Sequence, residues 1–464
     1  GAGELVPAER TMHEHRLRGE YSAACIGTRM VAFVRDGVVV IFGRGITYFG
    51  IESGNDTERC CVECSWPEEE QSAEQPDLEA VPPTSMSLHM GGDVGALCGI
   101  TLPLPDGMRA KEVICCPRHV FVLTTCGHVH TARLFSAVAG TTPALRSLWT
   151  PRNDNDRVVE LSSLYYHVLM RLANGKVLSS GDSHGGKLGY HPIPSGTPVT
   201  NPRIIPISNP SPSSSNTKPT SASPSNKGIE ETGYAPSSSP SSRSWGGPRI
   251  AMVAAGGGHS LFLTDAGIVL ACGDGGYGQL GLDLKNNGPS LAPNVAVPVP
   301  VCYRDNNSVK PLICAIACGD AHSLSIDLNG VCYSWGKNDE GQTGHHIVKR
   351  VDKARGELMP MVTVATAVSQ LSSYRVLGIH AATGISVFET VQRKPSAAAA
   401  LVEDADLNEP SGEPSRGRAL WVAGSVTPFN VPGDASMSDG EVRFLPSCMQ
   451  QTGSVLHGGF AEVM

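Results

Sequence analysis

Three histidines stand at matching places in this sequence. His167, His259 and His322 are each followed eight residues later by a glycine, at Gly175, Gly267 and Gly330 (175 − 167 = 267 − 259 = 330 − 322 = 8). A histidine in a cleft beside a positioned partner is a general acid or base, and several converging histidines bind a metal. Recurrence at one register argues for neither. Equivalent side chains in successive copies of a unit make the same contact in each copy and have no reason to converge, so these three read as structural hydrogen-bonding residues. Gly273-Asp274-Gly275-Gly276-Tyr277-Gly278 has the spacing of a phosphate-cradling loop. That loop must follow a strand and open a helix within a βαβ unit; no helical period follows, and the same position recurs elsewhere in the chain. Cys60, Cys61 and Cys64 could begin a zinc site, but His89 and Cys98, the next ligand types, do not form the second spaced pair that a closed site uses. No Gly-x-Ser-x-Gly elbow, Walker loop or His-Glu-x-x-His pattern occurs. The expectation is therefore no catalytic residue, no metal and no cofactor.

The recurring residues belong to a long repeat. Val253–Leu282 and Ile316–His345 align without a gap. Gly256, His259, Ser260, Leu261, Gly267, Gly273, Gly278, Gln279 and Gly281 recur as Gly319, His322, Ser323, Leu324, Gly330, Gly336, Gly341, Gln342 and Gly344, at a constant offset (322 − 259 = 63). A third copy carries His167, Leu169, Gly175, Gly181, Leu188 and Gly189 in the same register (259 − 167 = 92). Two weaker copies lie upstream. In one, His119 precedes Gly127 and Arg133 stands at the Gly273 position; in the other, Gly37 and Gly43 keep their spacing and Arg29 takes the place of the histidine. The units fall at about 22–51, 112–140, 158–190, 250–283 and 313–345, with further units expected at 364–391 and 419–464.

Within a unit, Ser260–Thr264 and Ile268–Cys272 are short apolar runs of strand type, separated by Asp265-Ala266-Gly267. Asp327–Gly330 holds the same place in the next unit. Glycine there supplies a positive φ, as hairpin turns demand. A single such unit leaves its faces open, whereas stacking units around an axis buries them. Runs of helical period and helical length are absent between the glycines, which excludes a helical repeat.

The pattern Gly-x-x-His-Ser-Leu, a glycine eight residues after the histidine, and then Ser334-Trp335-Gly336-x-Asn338-x-x-Gly341-Gln342-x-Gly344 resembles the regulator-of-chromosome-condensation repeat. The resemblance covers about half the chain. It implies an all-β fold, a β-propeller of six to seven four-stranded blades with seven favoured, forming a single domain over 1–464. It also implies the function classes to weigh. The first is a non-catalytic protein–protein interaction scaffold, for example a subunit of a large cytoskeletal or ribonucleoprotein assembly. The alternative is a guanine-nucleotide exchange factor for a small GTPase. In the founding branch acidic residues beside the blade histidine contribute to exchange; Asp320, two before His322, matches that position, while Gly257 and Tyr165 occupy it in the other strong copies. Asp320 is therefore the expected partner-binding residue.

Composition fits this reading. Of 464 residues, 52 are Gly and 34 are Pro, which disfavours long helices. The formal charge is −8 and no dense Lys/Arg run occurs, so direct nucleic-acid binding is not expected. No apolar stretch reaches the roughly 20 residues of a membrane span. The 14 cysteines lie in apolar runs (Cys272, Cys314, Cys318, Cys332) or adjacent pairs such as Cys115–Cys116, and no leader is visible, so an intracellular reducing compartment is expected. Three insertions separate the units: 52–110, acidic at Glu68–Glu70; 196–247, dominated by Ser and Pro; and 393–418. Such segments bury too little apolar surface to offset their ordering entropy and are expected to be disordered.

Overall fold

The computed structural model describes residues 23–26, 30–43, 86–87, 98–116, 119–133, 144–190, 198–208, 247–282, 294–304, 310–347, 350–352, 356–358, 360–393, 418–424 and 443–444. Among them the chain is built of antiparallel strands and short 3-10 turns. Six sheets are present, five of them with four strands, plus one small hairpin. Sheet 1 contains Ala23–Ile26, Met30–Arg35, Val38–Gly43, Cys98–Leu102 and Met86–Ser87. Sheet 2 runs Ala110–Cys115, His119–Thr124, Val129–Arg133, Arg146–Trp149, and sheet 3 runs Val158–Ser163, His167–Leu172, Val177–Gly181, Val199–Ile204. Sheet 4 is Ile250–Ala255, His259–Thr264, Val269–Gly273, Val295–Pro300. Sheet 5 is Ile313–Cys318, His322–Asp327, Cys332–Lys337, Met361–Ala367, and sheet 6 is Tyr374–Ala381, Ile385–Gln392, Ala419–Gly424, Arg443–Phe444. These are the blades of a β-propeller.

The second strands of sheets 4 and 5, His259–Thr264 and His322–Asp327, are buried along their whole length, which is why those runs do not alternate. The core lies between blades. Leu261, Leu263, Val269 and Trp335 form one cluster across sheets 4 and 5, and Leu324, Ile326, Val376 and Phe388 form the next across sheets 5 and 6. Neighbouring blades are also tied through their backbones. The carbonyl of each turn glycine between the second and third strands accepts from the first strand of the following blade: Ala110 N to Gly37 O at 2.7 Å, Val158 N to Gly127 O at 3.2 Å, Ile250 N to Gly175 O at 2.9 Å, Ile313 N to Gly267 O at 3.0 Å and Val376 N to Gly330 O at 2.9 Å. Gly267 and Gly330 have φ of 75° and 73°, the positive values their turns were expected to need.

Several boundaries differ from the sequence reading. The unit expected at 364–391 begins later: Met361–Ala367 pairs with Cys332–Lys337 as the outer strand of sheet 5, and the inner strand of sheet 6 starts at Tyr374. Ala419–Gly424, expected to open a seventh unit at 419–464, is the third strand of sheet 6. Six blades are therefore counted among the described residues. The insertion at 52–110 contains the sheet 1 strand Cys98–Leu102, and that at 196–247 contains the sheet 3 strand Val199–Ile204. In both, a short strand set apart in sequence from the rest of its unit is not announced by composition. Residues 394–417 and 209–246 lie outside the described residues. In sheet 1 it is Met30, not Arg29, that pairs with Gly43 as His259 pairs with Gly273. The cause is a tighter two-residue turn, in which Asp36 and Gly37 both have positive φ (53° and 80°).

Candidate functional site

The recurring histidines lie at the start of the second strands, beside the turn that ends the first. His167, His259 and His322 are 0–1% exposed. Each pairs across its sheet with a glycine: Gly181, Gly273 and Gly336. Gly256 and Gly319 leave room for the imidazole; a Cβ on them would stand 2.4 and 2.1 Å from Cε1 of His259 and His322. Gly189, Gly281 and Gly344 close the loop after the third strand, each donating its N–H to the residue three before it.

Each ring then reaches into the next blade. His167 Nε2 lies 2.8 Å from Ser260 Oγ, His259 Nε2 2.9 Å from Ser323 Oγ, and His322 Nε2 2.9 Å from Ser386 Oγ. The serines donate their own protons to carbonyls of the preceding blade, at Lys187 (2.7 Å), Gln279 (2.9 Å) and Gln342 (2.6 Å). A hydroxyl has one proton to give. With that proton spent on the carbonyl, the serine must accept from the histidine, so Nε2 carries the hydrogen; Nδ1 is buried with no partner to receive a second proton, which leaves the ring neutral. The electrostatics agree. Burial drives His259 down to about 3, helped by neighbouring His322, and burial drives His322 down to about 4. Burial, followed by Lys187 and His259, holds His167 well below its usual range. The structure thus brings each predicted histidine to a blade junction and brings none to a shared centre. Among the described residues no group of three or more His, Cys, Asp or Glu is placed to hold a metal. Cys60, Cys61, Cys64 and His89 lie outside those residues.

What does converge is the position two residues before the histidine. In sheets 3 to 6 it is Tyr165, Gly257, Asp320 and Thr383. The Tyr165 hydroxyl hydrogen-bonds Thr383 Oγ1, joining blades that are not neighbours and so crossing the central axis. The Asp320 carbonyl accepts from Gly257 N–H at 3.0 Å. A Cβ on Gly257 would stand 1.8 Å from Asp320 Oδ1, so the carboxylate fills the space that the small residue leaves. Burial raises the Asp320 carboxyl above its ordinary range, while Lys337 and Lys187 pull it back down. Lys187 is itself nearly buried, 2.6 Å from Asp182 Oδ2 and 5.4 Å from the Tyr166 ring centre; Lys337 lies 2.9 Å from Asp339 Oδ2 and 5.8 Å from the Tyr277 ring centre. One end of the propeller therefore carries a ring of loops in which a half-buried aspartate, two paired lysines and three tyrosines surround the axis.

The serine acceptor Ser386 and the glycine Gly424 went unrecognised in the sequence. Ser386 follows Ser323 by the same interval that separates the other copies (386 − 323 = 63), but Ile385 stands where the histidine would be. Gly424 pairs with Ile385 as Gly336 pairs with His322, and has the same φ (105° against 106°).

Comparison with known proteins agrees with this architecture. A family model described as "Regulator of chromosome condensation (RCC1) repeat" matches residues 250–279 and 313–342, and a second of the same description matches 266–326. The chain is 24% identical over 329 residues to the human probable E3 ubiquitin-protein ligase HERC6, covering 66% of this chain and 26% of that protein. It is 38% identical over 97 residues to mouse protein RCC2, covering 21% of this chain and 16% of that protein. The chain thus matches a minor part of either relative. The crystal structure of human WBSCR16 superposes with a TM-score of 0.52 at 15% identity, over 93% of this chain and 83% of that one, and has the same fold.

Proposed function

We propose that this chain, a divergent member of the regulator-of-chromosome-condensation repeat family, is a non-catalytic scaffold that holds partner proteins on the loops at the histidine end of its propeller. One observation carries the reading: the recurring titratable side chains are consumed in joining blades, which leaves a rigid frame whose distinctive chemistry lies in its loops. Loops held by such a frame are where binding surfaces concentrate. Asp320 is the residue assigned to partner contact, because its half-buried carboxylate stands at the axis with Lys187 and Lys337 near it. The partners are other proteins within a multi-subunit assembly, and the compartment is intracellular and reducing. Among the described residues Cys115, Cys116, Cys126, Cys272, Cys302, Cys314, Cys318 and Cys332 are free, which supports that placement.

The position of Asp320 favours guanine-nucleotide exchange on a small GTPase as the second reading. Exchange needs only a surface that prefers the nucleotide-free state of its partner. Affinity capture of the full chain with mass spectrometry, with and without added nucleotide, separates the two. A fixed partner set that ignores nucleotide and is lost from Asp320→Ala supports the scaffold. A GTPase retained only after nucleotide is stripped replaces it with exchange. Partners unchanged by Asp320→Ala would move the binding surface elsewhere.

A further inference from the structure

The opposite end of the propeller, where second strands turn into third strands, carries its own periodic feature. The residue just before the one whose N–H meets the turn-glycine carbonyl of the preceding blade is Arg109 in sheet 2, Arg157 in sheet 3, Arg249 in sheet 4, Leu312 in sheet 5 and Arg375 in sheet 6. In all but the last it stands a constant distance before the turn glycine of its own blade (127 − 109 = 175 − 157 = 267 − 249 = 330 − 312 = 18). Each arginine lays its stem over the turn glycine of the preceding blade. A Cβ on Gly37 would stand 2.8 Å from Arg109 Cβ, one on Gly127 1.7 Å from Arg157 Cγ, one on Gly175 3.0 Å from Arg249 Cβ, and one on Gly330 2.3 Å from Arg375 Cγ. All four arginines are exposed. A chain of net charge −8 thus presents a row of guanidinium groups along one rim.

The row is interrupted by apolar side chains. Leu312 replaces an arginine and is 56% exposed; Leu328 is 60% exposed, and its N–H donates to the Leu312 carbonyl at 3.0 Å. Ile268, next to the turn glycine Gly267 that packs on Leu312, is also exposed, as is Leu377, two residues after Arg375. Between Arg249 and Arg375 the rim therefore offers an apolar step flanked by cations. Exposed Asp265 lies in the same stretch, its N–H bonded to the Arg249 carbonyl at 3.0 Å.

We infer that this rim of sheets 4 to 6 is a docking surface for an acidic polypeptide segment whose apolar side chains lie between two carboxylates. Carboxylates pair with Arg249 and Arg375 in the forked geometry that guanidinium favours. The leucines cover Ile268, Leu312 and Leu328, and a peptide N–H meets Asp265. A nucleic-acid backbone fits worse: it gains nothing from the leucines, and its unbroken run of phosphates cannot step around Asp265 as a segment with two spaced carboxylates can. This surface is distinct from the Asp320 end.

The test uses a short fluorescein-labelled peptide in which leucines are bracketed by glutamates, followed by anisotropy with the full chain. Binding should weaken roughly tenfold in the double variant Arg249→Glu/Arg375→Glu, and also weaken as salt is raised. Because Arg249 packs against a neighbouring blade, Leu312→Ser/Leu328→Ser provides an independent check. Both leucines are exposed, so the melting temperature should hold while affinity falls. Arg109→Glu/Arg157→Glu, on the same rim but away from Leu312 and Leu328, should leave binding unchanged, as should Asp320→Ala. No binding, equal loss in the Arg109/Arg157 variant, or displacement of the peptide by duplex DNA as readily as by unlabelled peptide would each overturn the assignment.

Discussion

The junction between sheets 4 and 5 and that between sheets 2 and 3 solve one problem differently. At the first, His259 is fully buried, gives its proton to Ser323, and Ser323 returns one to Gln279. At the second, His119 occupies the equivalent place, but the residue that would receive its proton is Val168, not serine. His119 is correspondingly only half-buried and stacks near Phe121, with ring centres 6.4 Å apart. The small polar link at this junction is instead Cys116 Sγ to Ser163 Oγ at 3.0 Å. The difference teaches that the recurring histidine is fully buried where a serine of the next blade receives its Nε2–H. A buried N–H without a partner costs more than a made bond gains.

Substitutions can break that comparison, and they should do so in a definite order. The largest loss is expected from Gly319→Val. Its branched side chain would enter a space where a Cβ already lies 2.1 Å from His322 Cε1 and 2.3 Å from the Ala382 carbonyl. A cost of about 3 kcal/mol or more, read from the urea midpoint, follows from overpacking and loss of the His322 bond together. Gly267→Val and Gly330→Val, at turns of positive φ, should also destabilise measurably; unchanged stability in both would contradict the repeat alignment. Next comes Ser323→Ala, which strands the His259 N–H in the core at about 2 kcal/mol. Val168→Ser tests the other junction. If the staple were only a matter of supplying serine, this change would stabilise. The expectation is a loss of about 1 kcal/mol, because a fully buried apolar side chain is given up.

The pH dependence sharpens the same contrast. His259 and His322 titrate near 3 and 4 in the fold, against about 6.5 when exposed. Between those values the unfolded chain binds more protons, so stability falls as pH drops from about 6.5 toward 4, by up to about 1.4 kcal/mol per pH unit for each histidine. Glu112, which burial raises to about 7, pulls the opposite way over pH 7 to 4.5. The informative quantity is therefore a difference. His322→Gln should flatten the slope by about one proton relative to the unchanged protein, and equal slopes for the two would remove the assignment of a neutral, buried ring. The smallest effect is expected at Arg418→Ala, which loses only an ion pair to Glu389 from a largely exposed arginine; it should change stability by less than about 0.5 kcal/mol.

Sheets 3, 4 and 5 were legible because histidine, turn glycine and loop glycines stand on one ruler, and each of those types answers a steric or hydrogen-bonding demand that few other residues meet. Sheet 6 was hidden for two physical reasons. Ile385 needs no acceptor, so the histidine signal stops, and residues 394–417 fall between Ile385–Gln392 and Ala419–Gly424, where a tight glycine turn would otherwise join the strands. A hairpin tolerates length at its turn, because its register is held by the strands and the neighbouring blade. The converging position two before the histidine carries a different residue in each blade, so no periodicity announces it. Only Asp320 was singled out there, and its surroundings depend on Gly257 yielding space from the preceding unit. The arginine rim was readable in principle from its constant spacing to the turn glycine, but an exposed arginine is so common that the interval was needed to distinguish it.

The hydrogen bond between Tyr165 and Thr383 has a consequence for how the molecule comes together. Its partners are 218 residues apart in the chain, while the histidine links span 64 to 93. Shorter loops close at lower entropic cost, and stacked units add one neighbour at a time. The tyrosine–threonine contact has no neighbour to borrow from: sheets 4 and 5 must already be in place before its two ends can meet. It is a latch that registers the placement of the blades between its ends, made after them on assembly and released when either loosens.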